Sequence, residues 1–273
     1  MKHTFNLAIL LVASCLISTL GYAGHHSIRV GGTGSSVQMM MIMGQAYQET
    51  YPGQHVQVVS GLGSNGGMRA LAAKKIHISI SALALNKEAL AVGAISEEYA
   101  RTPYMLTTAP GVNLKEITTA EVASILSGET ERWPNGEVMR LVMRPLGDSD
   151  TLFLRSIAPA VDEAVNIALK RDGIIMAPTD QDSADALEQT PGAFGVTTLA
   201  QMKTEKRKLK PVMLNGISPS VAELVSGRYK YFKSLSTVIN KDASEEILHF
   251  VDYIRSEAGS ALLAEYGHMV IAK

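Results

Sequence analysis

The sequence predicts an α/β protein whose sheets are mostly parallel and covered by helices. Apolar strand patterns alternate with helical patterns along the chain, and the turns from strand to helix are rich in glycine and hydroxyl residues. The 250 residues from Gly24 to Lys273 contain no cysteine. A chain of this size suffices for two modest lobes that are stabilised by burial without disulfides.

Residues 1–23 have the pattern of a secretory signal peptide. A basic start at Lys2 precedes an apolar segment, and small residues follow at Gly21 and Ala23. We expect cleavage after Ala23; the alternative is a lipoprotein-like box that would anchor the chain through Cys15. Both routes export the folded part, so the sequence predicts a periplasmic protein.

The overall composition is that of an ordinary globular protein. Hydrophobic residues make up 46% of the chain, charged residues make up 19%, and the formal net charge is −1. The chain shows no basic stripe, so nucleic acid is not an expected partner.

The first third of the chain follows a β-α-β-α-β order. The strands are predicted at "SIRVGG", "HVQVVS" and "HISISALAL", with helices over residues 36–51 and from the glycine loop to Lys74. Five consecutive positions, Met39 to Met43, are apolar and cover all sides of the first helix. This pattern favours a buried helix over a soft-metal site.

The pattern restarts in the rest of the chain. Helices are predicted at "TTAEVASIL", with Thr118 or Thr119 as N-cap, and at "SDTLFLRSIA" and "SADALEQT". Strands are predicted at "GEVMRLVMRP" and "GAFGVTTL". A polar, basic stretch at residues 203–210 separates this region from a tail that ends in helical sequence.

Three strand-to-helix turns carry the candidate binding residues. The N–H groups at a helix start point outward, glycine permits close approach, and hydroxyl side chains add donors. Three such turns near one arginine suggest convergence on a single small oxyanion at the carboxyl ends of the strands. The candidates are Thr33, Gly34 and Ser35 in the first turn, Gly63, Ser64 and Asn65 in the second, and Asp148, Ser149, Asp150 and Thr151, with Arg144, in the third.

The second turn also contains a G-x-G-x-x-G pattern at Gly61, Gly63 and Gly66. Dinucleotide binding needs an acidic residue roughly 20 positions further on, after the next strand, and "ISISALALN" offers none. We therefore exclude NAD binding, while a plain tight turn remains the alternative to an anion loop.

The third turn has other interpretations as well. Arg144 could form a surface ion pair, and Asp148 or Asp150 could cap the following helix. The run Gly147-Asp148-Ser149 is also similar to the start of GDS-type lipases, with Glu246 and His249 as a conceivable acid and base. A secreted serine hydrolase is thus the enzyme alternative to a binding protein.

The ordered set of motifs resembles the periplasmic phosphate-binding proteins of ABC transporters, within the superfamily of two-lobed solute-binding proteins. The matching segments run along most of the chain. They are "GGTGSS", "SGLGSNGGMRALAAKKIHISIS", "ITTAEVASILSGETERW", "RPLGDSDT", "PGAFGV" and "ISPSVAELVSGRYKYFKSLSTVI".

The resemblance implies a type II periplasmic-binding-protein fold, in which each lobe is a mostly parallel sheet flanked by helices. It places the first lobe at residues 24–105, the second at 106–200 and the return to the first lobe at 201–273. A two-segment hinge near residues 105–110 and 195–205 would join the lobes and trap the ligand by closing. The implied protein is a monomer that delivers its ligand to an ABC transporter permease, with no cofactor and no metal site.

By the same resemblance, the phosphate ligands are Thr33, Gly34, Ser64, Arg144, Ser149 and Thr151. In the family a carboxylate accepts the proton of hydrogen phosphate, which discriminates it from sulfate. This chain has Ala82 and Leu83 where a charged residue is usual, and Asp150 where glycine is usual. Asp148 and Asp150 are therefore the candidates for the acceptor, and another oxyanion or a small organic phosphate stays open as the ligand.

Overall fold

A computed structural model describes residues 27–272 of the chain. The predicted signal peptide and Cys15 lie outside the described residues. Among residues 27–272, no helix is both long enough and apolar enough to cross a membrane.

The described residues form an α/β structure. The strands are β1 Ile28–Gly32, β2 Val56–Val59, β3 Ile78–Ser81, β4 Ala94–Thr108, β5 Glu116–Ile117, β6 Arg140–Met143, β7 Ile175–Met176, β8 Ala193–Thr198, β9 Lys210–Pro211, β10 Met213–Leu214, β11 Phe232–Asn240 and β12 Met269–Val270. The helices are α1 Val37–Thr50, α2 Gly63–Ala72, α3 Lys87–Ala91, α4 Thr119–Ser127, α5 Ser149–Arg155, α6 Pro159–Ala168, α7 Asp180–Gln189, α8 Leu199–Thr204, α9 Val221–Val225, α10 Glu245–Ile254 and α11 Glu257–Glu265. A short 3-10 turn, Gly34–Ser36, leads into α1.

The first lobe is built on strands in the order β2-β1-β3-β11-β4. The three strands β2, β1 and β3 are parallel, because α1 and α2 connect them as crossovers. β11 runs antiparallel to β3 and to the first part of β4. The core includes Met39, Met40 and Met43 of α1, as the apolar run predicts, whereas Met41 of the same helix is 43% exposed.

The second lobe continues the same sheet in the order β4-β8-β6-β7. β6 is parallel to both β7 and β8, while β8 is antiparallel to the last part of β4. α4 begins at a capping box in which Thr118 and Glu121 satisfy each other's backbone N–H groups, so Thr118 is the cap. Helices α4 to α7 cover this sheet, and they supply Val122, Val161 and Leu187 to its core.

Two extended segments join the lobes. β4 passes from one lobe to the other at Pro103 and Tyr104, where its pairing partner changes from β11 to β8. Leu209, Leu214 and Tyr229 pack in the core of the second lobe, and β11 then enters the first lobe. This packing favours a return near Tyr231 rather than near residue 200, and the exact lobe boundaries stay a prediction.

The predicted fold class is confirmed. Parallel strands with crossover helices form most of each lobe, and the antiparallel pairs involve the strands that connect the lobes or border the connection. The sequence patterns did not predict the length of β4 or the helices α3, α6, α8 and α9.

Candidate functional site

The first and third predicted turns meet where the two lobes touch. The first turn follows β1 and contributes Thr33, Gly34 and Ser35 from the first lobe. The third turn follows β6 and contributes Arg144 and the start of α5 from the second lobe. Both turns lie at the carboxyl ends of parallel strands, which is where α/β proteins form ligand clefts.

Gly34 allows this close approach. A Cβ added at Gly34 would lie 2.5 Å from Oδ2 and 2.9 Å from Cγ of Asp180, at the start of α7 in the second lobe. The carbonyl oxygen of Gly34 accepts a hydrogen bond of 2.9 Å from Nε2 of Gln181, the next residue of α7. The first turn therefore packs against α7 as closely as its backbone permits.

Arg144 lies at the centre of the second lobe's side of the site. Its side chain is 2% exposed, which excludes the surface ion pair that was one interpretation of the sequence. One guanidinium nitrogen donates to the carbonyl oxygen of Ala177 at 2.6 Å, and another contacts Asp148 at 2.8 Å and Asp180 at 3.3 Å. Within residues 27–272, its Nε has no hydrogen-bond partner. A buried guanidinium N–H without a partner is available to an acceptor, such as an oxyanion.

The start of α5 is organised by Asp148. Its side chain accepts a hydrogen bond of 2.9 Å from the N–H of Asp150 and caps the helix, which confirms the capping role expected of one of these two residues. Ser149 and Thr151 are buried beside it. Thr151 Oγ1 donates to the carbonyl oxygen of Arg144 at 2.9 Å, so it holds the turn closed.

Two buried charged residues that the sequence analysis missed complete the site: Lys233 of β11 and Asp180 of α7. Nζ of Lys233 is in direct contact with a carboxylate oxygen of Asp150, and it lies 3.4 Å from Asp180 Oδ1 and 3.4 Å from Ser35 Oγ. Lys233 lies on the same buried face of β11 as Leu235, two positions further on. A lysine at a position where the strand pattern expects a buried apolar residue was the sequence feature that could have indicated it.

The ionised site carries a net charge of −1. Arg144 and Lys233 are balanced against Asp148, Asp150 and Asp180. Burial raises the pKa of Asp150; Lys233 opposes this shift, and the charges of Asp180 and Asp148 add to it. Burial alone would lower the pKa of Lys233, but the attraction of Asp150 and Asp180 outweighs it and raises the pKa.

The second turn adjoins the first, since a Cβ added at Gly31 would lie 2.7 Å from Cδ1 of Leu62, the residue that precedes α2. Ser64 Oγ accepts a hydrogen bond of 3.0 Å from the N–H of Ala82, and the carbonyl oxygen of Asn65 accepts one of 3.3 Å from Asn86. Gly63 has φ +64° and opens α2. This turn offers an anion the backbone N–H groups at the start of α2.

The contacts of Ser149 and His249 do not support the hydrolase alternative. The side-chain neighbour of Ser149 Oγ is Asp150 Oδ1, at 3.5 Å, and not the histidine that a Ser-His-Asp triad uses as its general base. Nδ1 of His249 lies 2.8 Å from the hydroxyl of Tyr47, in an aromatic cluster of the first lobe. The proposed base therefore belongs to a different part of the molecule.

The fold and the junction of its lobes define a two-lobed solute-binding protein. A family model described as "PBP superfamily domain" matches residues 19–258, and the chain belongs to this superfamily. This confirms the class of protein that the motifs resemble.

Individual relatives are similar at low sequence identity. The phosphate-binding protein PstS of Borreliella burgdorferi is 24% identical, and the match covers 99% of each chain. A phosphate ABC transporter substrate-binding protein from Clostridium perfringens, whose crystal structure holds phosphate, has a TM-score of 0.78 at 17% identity, covering 90% of this chain and 99% of that one. The molybdate-binding protein of Azotobacter vinelandii has a TM-score of 0.62 at 14% identity, covering 89% and 99%.

Proposed function

We propose that this protein captures inorganic phosphate, or a similar small oxyanion, between its two lobes and delivers it to an ABC importer. The observation that carries the proposal is the buried guanidinium of Arg144, which lies at the junction of the lobes and whose Nε has no partner among residues 27–272. The names of the relatives support phosphate as the first ligand to test.

The proposed ligand site uses donors from both lobes. Thr33 and Ser35 contribute hydroxyl groups from the first lobe, and Gly34 and Ser35 contribute backbone N–H groups. The start of α2 adds the backbone N–H groups of Gly63, Ser64 and Asn65. The second lobe contributes Arg144 with the start of α5 at Ser149 and Thr151. Helix starts favour anions because their N–H groups are free and the helix dipole is positive there.

Discrimination between oxyanions depends on the carboxylates. Of the two candidates, Asp148 is the proposed acceptor for a proton that the ligand still carries, because Asp150 is engaged by Lys233. An ionised carboxylate accepts a hydrogen bond from P–OH but repels a fully deprotonated oxyanion such as sulfate. The proposed site therefore prefers hydrogen phosphate, and arsenate as its analogue, to sulfate.

We propose export through the signal peptide at residues 1–23, a monomeric binding protein, and a permease as the membrane partner. The relatives that are named as components of phosphate ABC transport support this setting. Because one relative is named as a molybdate-binding protein, a different oxyanion is the alternative ligand to test.

The test is calorimetric titration with phosphate, arsenate, sulfate and molybdate. We expect phosphate binding that Arg144→Ala weakens by roughly 100-fold, because a charge-assisted hydrogen bond to a buried site contributes about 1.5–3 kcal/mol. Arg140→Ala, which removes an exposed arginine of β6, the strand that leads to Arg144, is the matched control and should leave binding unchanged.

The variant Arg144→Lys keeps the positive charge but lacks the planar guanidinium group. It therefore distinguishes a loss of phosphate binding from a loss of folding caused by removing the buried charge. Both Arg144 variants are first compared with the wild type by thermal unfolding. A wild-type protein that binds molybdate and not phosphate would reassign the ligand, and one that binds none of the four would contradict the proposal.

A further inference from the structure

Lys233 lies between the first and third turns of the proposed anion site. Its ammonium is in contact with Asp150 of the second lobe and lies 3.4 Å from Ser35 Oγ of the first lobe. The third neighbour is Asp180, at 3.4 Å. The side chain is 2% exposed, so its charge is neutralised by these neighbours rather than by water.

We propose that Lys233 is a second cation for the oxyanion, and that Asp150 holds its ammonium until an anion takes that place. Anion binding then releases the Asp150 carboxylate, which takes up one proton from solvent. This inference rests on the proposed function and adds two residues that determine affinity and its pH dependence.

The geometry makes the exchange feasible without a large movement. Ser35 belongs to the proposed anion loop, and Lys233 already reaches it, so an oxyanion bound by that loop would lie next to the ammonium. A lysine carries three donors and no acceptor, and replacing one carboxylate oxygen by a ligand oxygen keeps all of them directed at acceptors.

Charge explains why Asp150 would be protonated when it gives up Lys233. The charged and titratable groups that face Asp150 come from every element packed against it: Lys233 of β11, Asp180 of α7, Asp148 at the α5 cap with the Arg144 that it pairs, and Tyr104 of β4, whose hydroxyl donates to the Asp150 carbonyl oxygen at 2.8 Å. Without the ammonium, a 2% exposed carboxylate would face two other carboxylates and the incoming anion. Burial already raises the pKa of Asp150, which acts in the same direction.

The test measures phosphate affinity and proton uptake together, by calorimetry at about pH 8 in buffers of different ionisation enthalpy. Lys233→Met should weaken phosphate binding by about 30-fold, the loss of one charged hydrogen bond. Lys230→Met, which removes an exposed lysine three positions earlier, should stay within about twofold of the wild type.

Asp150→Asn tests the other half of the exchange. It should bind phosphate at least as tightly as the wild type, with about one proton less taken up, because the ligand's own titration is the same in both proteins. Because Lys233→Met leaves Asp150 buried without its cation, the double variant Asp150→Asn/Lys233→Met is measured too. It removes both charges, and it should be folded and bind as weakly as Lys233→Met.

The results of these titrations distinguish a failure of the inference about Lys233 and Asp150 from a failure of the proposed function. A wild type that binds phosphate with an unchanged affinity in Lys233→Met overturns this inference and leaves the proposed function standing. A loss of more than about tenfold in Asp150→Asn shows that Asp150 is a partner of the ligand rather than its competitor, and also overturns it. A wild type that binds no oxyanion contradicts the proposed function itself.

Discussion

Four charged side chains of the candidate site are buried away from water. Arg144, Lys233, Asp150 and Asp180 are each 4% exposed or less, and each is paired with at least one opposite charge. Removing one partner of such a buried pair costs about 3–5 kcal/mol, because the other charge stays buried. Variants at these positions therefore need a folding measurement beside every binding measurement.

His268 provides a pH dependence that is independent of ligand binding. Its ring is 2% exposed, Nδ1 lies 3.0 Å from the carbonyl oxygen of Leu263, and within residues 27–272 Nε2 has no partner. Burial lowers the pKa of His268 from 6.5 to about 4. The unfolded chain therefore binds the proton more tightly than the folded one, and the stability from neutral His268 is present above about pH 6.5 and lost as the pH falls towards 4.

We predict that this loss amounts to roughly 3 kcal/mol by about pH 4. His268→Gln stays uncharged, so its free energy of unfolding should fall less steeply than that of the wild type between about pH 7 and pH 4. Denaturant unfolding at a series of pH values measures the difference, with the exposed His55→Gln as control. Parallel curves for the wild type and His268→Gln would refute the burial of a neutral imidazole.

Helices and strands of the first lobe depend on close packing at the glycine loop. A Cβ added at Gly67 would lie 2.5 Å from Ser79 Oγ and 2.7 Å from Gly32 Cα, so α2 rests directly on β1 and β3. At the neighbouring Gly66 the nearest atom, Leu62 Cβ, is 3.6 Å away. Adjacent glycines of one helix thus have different roles.

We predict opposite effects for alanine at these two positions. Gly67→Ala should destabilise the protein by about 1–3 kcal/mol, because the added methyl group overpacks the helix–sheet contact. Gly66→Ala should stabilise it by up to about 1 kcal/mol, since alanine favours the helix. Urea unfolding of the two variants provides the comparison, and equal changes in both would contradict the packing described here.

The sequence predicts those elements whose pattern is local. Hydrophobic periodicity and turn residues indicate β1, α1, β2, α2, β3 and most of the second lobe. The first part of β4, "AISEEYARTP", has many charged and polar residues and resembles an exposed segment, but pairing with β11 makes it a strand. Helices α3 and α9 have five residues each, too few to show a 3.6-residue period.

At the scale of the whole molecule, residues 27–272 form two lobes that share one sheet and meet again at the candidate site. β4 and β11 form the covalent connection, and the contact between Gly34 and Asp180 is the second point of approach. Two-lobed binding proteins close around a ligand by rotation at such connections. In this protein, closure would depend on Gly34, where Asp180 leaves no room for a side chain.

We predict that Gly34→Ala weakens phosphate binding by about tenfold, because its methyl group would keep α7 from reaching the first turn. The free energy of unfolding should change much less than the affinity. Gly111→Ala, where a Cβ would meet nothing within 4 Å, is the control. Calorimetry gives the affinity, and X-ray scattering should show less compaction on phosphate addition than in the wild type. An unchanged affinity would exclude Gly34 from the closing contact.

The candidate site was predictable only in part. Arg144, Asp148 and the turn at Thr33 to Ser35 stand in recognisable local patterns, and the structure brings them to one junction. Asp180 and Lys233 were missed because their contacts join residues far apart in the sequence, as in Lys233 with Asp150, 83 positions away. No local pattern shows that a buried carboxylate and a buried ammonium will neutralise each other.

In the proposed binding mode, turns from both lobes and the Arg144 guanidinium enclose one small oxyanion. The most direct test is a crystal structure of the protein grown with arsenate, whose arsenic atom is located by anomalous scattering. We expect one strong peak within hydrogen-bond reach of the Arg144 guanidinium and of the first turn at Thr33 to Ser35. Arsenic located elsewhere on the molecule, with these groups bound only to each other, would contradict it.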